Sequence, residues 1–136
     1  MVVVFYHLFP GVVFKVLRNM ERGVAGLDQR SLDVGKLHME YLEGGQGDIL
    51  VLRHGFGGDK DNWTRVAKYL TPHFRVVMPD LPGFGDSTKD PDAHYTIFDQ
   101  VKRLHANISR SDGSVGQRII CLFDIARVSP ARSHGE

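Results

Sequence analysis

Ile49-Leu50-Val51-Leu52-Arg53-His54-Gly55-Phe56-Gly57-Gly58-Asp59-Lys60-Asp61-Asn62-Trp63 is the stretch on which the fold turns. Its opening run, Ile49 to Leu52, is apolar without alternation, as in a central strand covered on both faces. Three glycines follow within four residues, and then a helical pattern begins. Trp63, Val66, Ala67 and Leu70 recur at i, i+3, i+4 and i+7, which predicts one buried stripe. Asp59 and Asp61 suit the amino end of that helix by capping and dipole. Strand, glycine turn and helix in this order form a βα unit, in which backbone N–H groups face a ligand.

Working outward, the same grammar repeats. Phe74 to Met78 is a second short apolar strand, ended by Pro79. A loop rich in glycine and proline follows, Asp80-Leu81-Pro82-Gly83-Phe84-Gly85-Asp86-Ser87. Thr96-x-x-Asp99 then reads as a capping box, with Ile97, Val101, Leu104 and Ile108 on the inner face of its helix. Upstream, Ser31 to Val34 and Leu37 to Leu42 read as strands joined at Gly35-Lys36, and residues 21–30 as a connector. The alternation predicts an α/β fold, a mostly parallel sheet with flanking helices. Ligands of such sheets sit outside the carboxyl ends of strands, where both glycine loops fall.

Composition narrows the chemistry. The 136 residues are 42% hydrophobic and 24% charged, with 17 Lys and Arg against 16 Asp and Glu. That balance gives no reason to expect a nucleic-acid partner. The single cysteine, Cys121, can close no internal disulfide, and its apolar run predicts an inert buried thiol. The seven histidines lack ligand-like spacing, so no metal site is expected, and no cofactor. Neither glycine loop has the G-K-[ST] of a phosphate-binding P-loop. Ser87 reads as a loop serine bonded locally.

Near the amino end, Phe9, Val12, Val13, Val16, Leu17 and Met20 lie at helical spacing, with Lys15, Arg18, Asn19, Glu21 and Arg22 largely elsewhere. Residues 9–22 thus form an amphipathic helix, either packed on the domain or lying on a membrane surface, with a signal anchor as a third reading. The amino-terminal run lacks a basic region and a cleavage site, so a cytoplasmic protein is expected, with membrane association as the alternative.

His54-Gly55-Phe56-Gly57-Gly58 with Asn62-Trp63, followed by Pro79 to Ser87, is a specific pair of motifs. Together they resemble the amino-terminal part of α/β-hydrolase-fold lipases and esterases, in particular the monoacylglycerol-lipase-like branch, over about residues 31–106. The resemblance implies a partial α/β-hydrolase fold and a serine hydrolase that cleaves carboxylic esters, acylglycerols among them, through an acyl-enzyme. It implies that the N–H of Phe56 is an oxyanion donor and that His54 is structural, not the catalytic base. It further implies that Gly55, Gly57, Gly58, Asp80, Gly83 and Gly85 shape the two loops. The small-molecule partner would be an ester or lipid.

Three departures stand beside the resemblance. No G-x-S-x-G nucleophile turn occurs; Asp112-Gly113-Ser114-Val115-Gly116 has the wrong spacing, so no catalytic serine, acid or histidine is identified. Arg53 places a charge where the family has an apolar strand residue. Resemblance stops after Ala106. The expected organisation is therefore an amphipathic helix and connector over 1–30, the amino-terminal part of a hydrolase domain over 31–106, and a divergent tail over 107–136, frameshifted or disordered. The chain alone is expected to be inactive; the alternative is a non-catalytic fragment or interaction module.

Overall fold

The computed structural model describes residues 10–55, 57–111 and 119–123, with backbone alone for 97, 107–111, 119, 122 and 123. In chain order the elements are helix α1 (Pro10–Val24) and strands β1 (Asp28–Val34), β2 (Leu37–Gly44) and β3 (Ile49–Arg53). A 3₁₀ turn (Lys60–Trp63), helix α2 (Thr64–Leu70), strand β4 (Arg75–Pro79), helix α3 (Ile97–Ser111) and strand β5 (Ile119–Phe123) complete them. The strands form one sheet in the order β1-β2-β4-β3-β5. β3 pairs in parallel with β4 and β5, whereas β2 runs antiparallel to both β1 and β4. Four of the five described strands therefore point one way, and β2 alone opposes them.

The unbroken apolar run at 49–52 follows from burial on both faces. Leu50 and Leu52 join Leu42, Val76, Met78 and Ala67 on one side, with Trp63, Leu70 and Phe74 packed against them. Ile49 and Val51 face the other side with Tyr41, Val77 and Leu104. A pleated strand sends successive side chains to opposite faces, so each cluster takes every second residue.

Several expectations change. β1 begins at Asp28, three residues inside the stretch read as a connector, because its whole length pairs with β2 in register from Asp28↔Glu43 to Val34↔Leu37. Of the stripe read for α2, Ala67 is buried and Trp63 and Leu70 half-buried, but Val66 is exposed. The first turn is 3₁₀, which shifts the later residues around the axis relative to a straight α-helix. In α3, Leu104 is buried while Val101 is exposed; the side chains of Ile97 and Ile108 lie outside the described residues. The helix continues through Ser111, into the polar stretch read as turn-prone from Asn107. Cys121 is exposed rather than buried, because β5 has a described partner on one side only. Ser114 and Phe56 lie outside the described residues.

The sequence left open which face of α1 meets the body. Among the described residues its one buried side chain is Arg22, while Val12, Phe14, Val16, Leu17, Met20 and Val24 are exposed. The helix meets the body through charge and turns its apolar face outward. No helix among the described residues is long and apolar enough to cross a membrane.

Candidate active site

The loop after β3 and the loop after β4 leave adjacent parallel strands at their carboxyl ends, and one buried carboxylate joins them. Asp80 is fully buried. Its Oδ1 accepts from the Lys60 backbone N–H at 2.5 Å. Its Oδ2 accepts from Lys60 Nζ at 2.6 Å and from the Asp86 N–H at 2.9 Å. Lys60 Nζ also donates to Asp86 Oδ2 at 2.5 Å. Burial pulls the Lys60 ammonium downward, but the hydrogen bonds it donates to both carboxylates outweigh that and hold the group above its ordinary value. The same contact from Lys60 holds the Asp86 carboxyl below the usual carboxylate value.

Gly85 shows why the pair fits. Its φ is +52°, and a Cβ there would lie 2.2 Å from the Asp80 carboxylate. Only glycine gives both that conformation and that space. Gly83 has φ +94°, and a Cβ would approach the Tyr95 ring to 3.2 Å. In the first loop Gly57 adopts φ +77° facing open space, whereas a Cβ on Gly58 would lie 2.3 Å from the Asn62 amide nitrogen. The Gly55 carbonyl accepts from the Gly58 N–H at 3.2 Å. The oxyanion-donor assignment of Phe56 itself falls outside the described residues.

His54 is buried between the loops. Nδ1 lies 2.8 Å from the Gly55 carbonyl, and Nε2 faces the Leu81 N–H at 3.4 Å. A carbonyl on one side and an N–H on the other place the ring's donor at Nδ1 and its acceptor at Nε2. The Phe84 ring meets the imidazole edge-on, centroids 5.3 Å apart. Both ring nitrogens are thus engaged within the two loops.

Further contacts tie the second loop down. Ser87 Oγ donates to the Asp80 carbonyl at 2.6 Å and accepts from the Glu40 N–H at 2.8 Å. The reading of Ser87 as locally bonded is half of this, since Glu40 lies across the sheet on β2. Gln100 on α3 donates to the Pro82 carbonyl at 2.9 Å. Asp59 caps the 3₁₀ turn, accepting from the Asp61 N–H at 3.0 Å. Asp61, expected to cap as well, instead receives Arg22 in a two-pronged pair at 2.7 and 2.6 Å. Arg53 is half-buried at the end of β3, and its carbonyl accepts from Trp63 Nε1 at 3.2 Å.

The sequence singles out neither Lys60 nor Gln100. Neither spacing nor composition signals a partner about twenty residues away. Among the described residues no cluster of three His, Cys, Asp or Glu side chains is placed to hold a metal.

Comparison with known proteins places the fold. The family model described as the alpha/beta hydrolase fold matches residues 48–119. Lipase 1 of Psychrobacter immobilis is 43% identical over 88 residues, 62% of this chain and 27% of the lipase. Monoacylglycerol lipase abhd6-A of Xenopus laevis is 30% identical over 102 residues, 72% of this chain and 30% of that protein. A solved structure described as a membrane phospholipase A, a bacterial virulence factor, superposes with TM-score 0.74 at 41% identity. It covers 88% of this chain and 39% of its own. The chain thus spans well under half the length of these relatives.

Proposed function

The chain belongs to the alpha/beta hydrolase fold family, of lipase and esterase type, and on that premise we propose that its two glycine loops form the carbonyl-binding edge of a carboxylic-ester hydrolase for acylglycerol-like lipids. The observation that carries this reading is the Lys60–Asp80 pair. It locks the loop bearing Gly55, Gly57 and Gly58 to the loop bearing Gly83 and Gly85 at the carboxyl edge of the sheet. An oxyanion site needs donors fixed before charge develops, because reorientation at the moment of reaction costs much of the gain. In this assignment the N–H of Phe56 donates to the ester carbonyl oxygen, which becomes the oxyanion only where a nucleophile adds, and His54 and Asp80 hold its loop.

The acyl-enzyme half of the chemistry requires a serine, a base and an acid. No G-x-S-x-G occurs in the 136 residues. The 136-residue chain is therefore proposed to bind an ester without cleaving it. Contact of residues 9–22 with a lipid surface belongs to the same reading, in keeping with the likeness to a membrane phospholipase A.

The test has two readouts. Titration with monobutyrin should shift the amide resonances of Gly57 and Gly58, and p-nitrophenyl butyrate should not be hydrolysed above background. An absence of amide shifts refutes the carbonyl-binding role. Hydrolysis that a serine-directed phosphonate abolishes refutes the claim that this chain is inactive alone.

A further inference from the structure

Lys60-Asp61-Asn62-Trp63 follows the first glycine loop, and its four side chains leave in four directions. A 3₁₀ turn holds three residues per turn, so consecutive side chains fan out at about 120°. Lys60 goes to the second loop, through Asp80 and Asp86. Asp61 goes to α1, where Arg22 donates to both of its carboxylate oxygens at 2.7 and 2.6 Å. Asn62 lies back against the first loop, since a Cβ on Gly58 would meet its amide nitrogen at 2.3 Å. Trp63 Nε1 donates to the Arg53 carbonyl at the end of β3, at 3.2 Å. Four consecutive residues thus join four parts of the molecule.

The glycine loop depends on this turn. A Cβ built on Gly57 would meet nothing within 4 Å among the described residues, so packing gives that position no support. Glycine also leaves the backbone freer than any other residue would. The loop's conformation therefore rests on what its two ends are fastened to. One end is β3 with His54; the other is the 3₁₀ turn.

From this we infer that Arg22 is a positioning residue for the ester-binding loop. By clamping Asp61 it holds the 3₁₀ turn, and through Asn62 it keeps Gly58 in place. The inference rests on the ester-binding reading above and adds to it a residue on α1, 39 positions upstream of Asp61.

The clamp is built to hold a position. Arg22 is 7% exposed and is the one buried side chain of α1 among the described residues. Its third nitrogen donates to Gln29 Oε1 at 2.8 Å, and Gln29 Nε2 donates onward to Glu40 Oε2 at 2.9 Å. The guanidinium fork is planar and rigid, so a two-pronged grip fixes the orientation of the carboxylate as well as its distance. Asp61 keeps only 14% of its side chain in water, so solvent screens the pair little. Arg18, at 3.9 Å and more exposed, is a weaker second cation on the same carboxylate. The Asp61 N–H is committed to Asp59 Oδ1 at 3.0 Å. A displaced Asp61 would carry Asn62 with it and open the contact on Gly58. The end of α1 has other ties that bypass the turn. Glu21 pairs with Arg65 at 3.3 Å, and Thr71 Oγ1 donates to the Ala25 carbonyl at 2.9 Å.

Amide hydrogen exchange separates positioning from mere stability. The Gly58 N–H donates to the Gly55 carbonyl, so its exchange reports local opening of the loop. In R22A that amide should exchange at least about tenfold faster than in the wild type. An Arg22 that only stabilised the fold would speed the amides of β3 and β4 and leave Gly58 unchanged, which overturns the inference. T71V, which removes the bond to Ala25, should leave Gly58 at its wild-type rate; equal acceleration there overturns a specific role for Arg22. The double variant R22A/D61A should speed Gly58 no more than the stronger single variant, and additive effects overturn the route through Asp61. Should R22A fail to fold, R22K keeps the charge without the fork and should still speed Gly58; a wild-type rate in R22K overturns the inference. Monobutyrin should bind R22A about fivefold or more weakly than the wild type, and equal affinity overturns the positioning role while leaving the ester reading intact. A wild type that binds no monobutyrin refutes the ester reading. Gly58 exchange in R22A then still decides whether the clamp holds the loop.

Discussion

The ammonium of Lys60 and the carboxylate of Asp80 meet at 2.6 Å with both side chains withdrawn from solvent. Each would be untenable there without the other, because an isolated buried charge costs far more than a fold of this size can spare. Their partner Asp86 keeps half of its side chain in water.

K60M should therefore destabilise the protein by about 3–5 kcal/mol, since it strands the Asp80 carboxylate. D86N should cost no more than about 1 kcal/mol, because that carboxylate is screened. Urea denaturation of the two variants checks the order; comparable losses would mean that the exposed arm carries the pair.

G85A and G57A separate crowding from backbone strain. Both positions have positive φ, worth about 1–2 kcal/mol against a residue with a Cβ. At Gly57 the space is open, so that penalty is the whole effect. At Gly85 the methyl group meets Asp80, adding about 1–3 kcal/mol. Thermal unfolding should show G85A the lower of the two.

His38 makes hydrogen bonds to Asp33 at 2.7 Å and to Glu40 at 3.0 Å on the β1–β2 hairpin, and these, Asp33 first, hold its imidazole above the ordinary value. A raised folded pKa stabilises the hairpin most fully below about pH 6.5, the unfolded value, and that contribution is lost as pH climbs through the folded one. The ring resonances should titrate above about pH 6.5, and D33N should move the midpoint down.

Asp86 carries the opposite sign. With its folded pKa depressed by Lys60, its contribution is present above about pH 3.9, the unfolded value, and disappears as pH falls through the folded one. The acid limb of the wild-type stability profile should be steeper than that of D86N.

Thr96 Oγ1 accepts from the Asp99 N–H at 3.2 Å and donates to the Asp99 carboxylate at 2.6 Å. T96A should cost about 1 kcal/mol and fray the start of α3. Hydrogen exchange at residues 98–100 is the direct measure.

What could be read from the sequence was what repeats locally. The apolar run Ile49–Leu52, the Thr96–Asp99 box and the order of strands and helices all carry their signal within one element. The opposing direction of β2 was not legible, because a strand's polarity in a sheet depends on partners distant in the chain. The burial of Arg22 and Lys60 was not legible for a related reason. Each is a cation whose burial is granted by a carboxylate 39 or 20 residues away, and no periodicity encodes that. The face of α1 was ambiguous in the same sense: the pattern shows that two faces exist, but not which of them the body takes.

Segment 80–88 is tied to β2 at its two ends. Asp80 N–H donates to Glu40 O at 2.8 Å, Thr88 N–H to His38 O at 2.9 Å, and the His38 N–H answers to Thr88 Oγ1 at 2.9 Å. The β1–β2 hairpin closes between neighbours in sequence, while its links to Ser87 and Thr88 bridge 47 and 50 residues. Contacts of long sequence separation pay their loop-closure entropy late. The floor beneath the glycine loops is therefore among the last parts of the molecule to assemble, cast against a hairpin that is already in place.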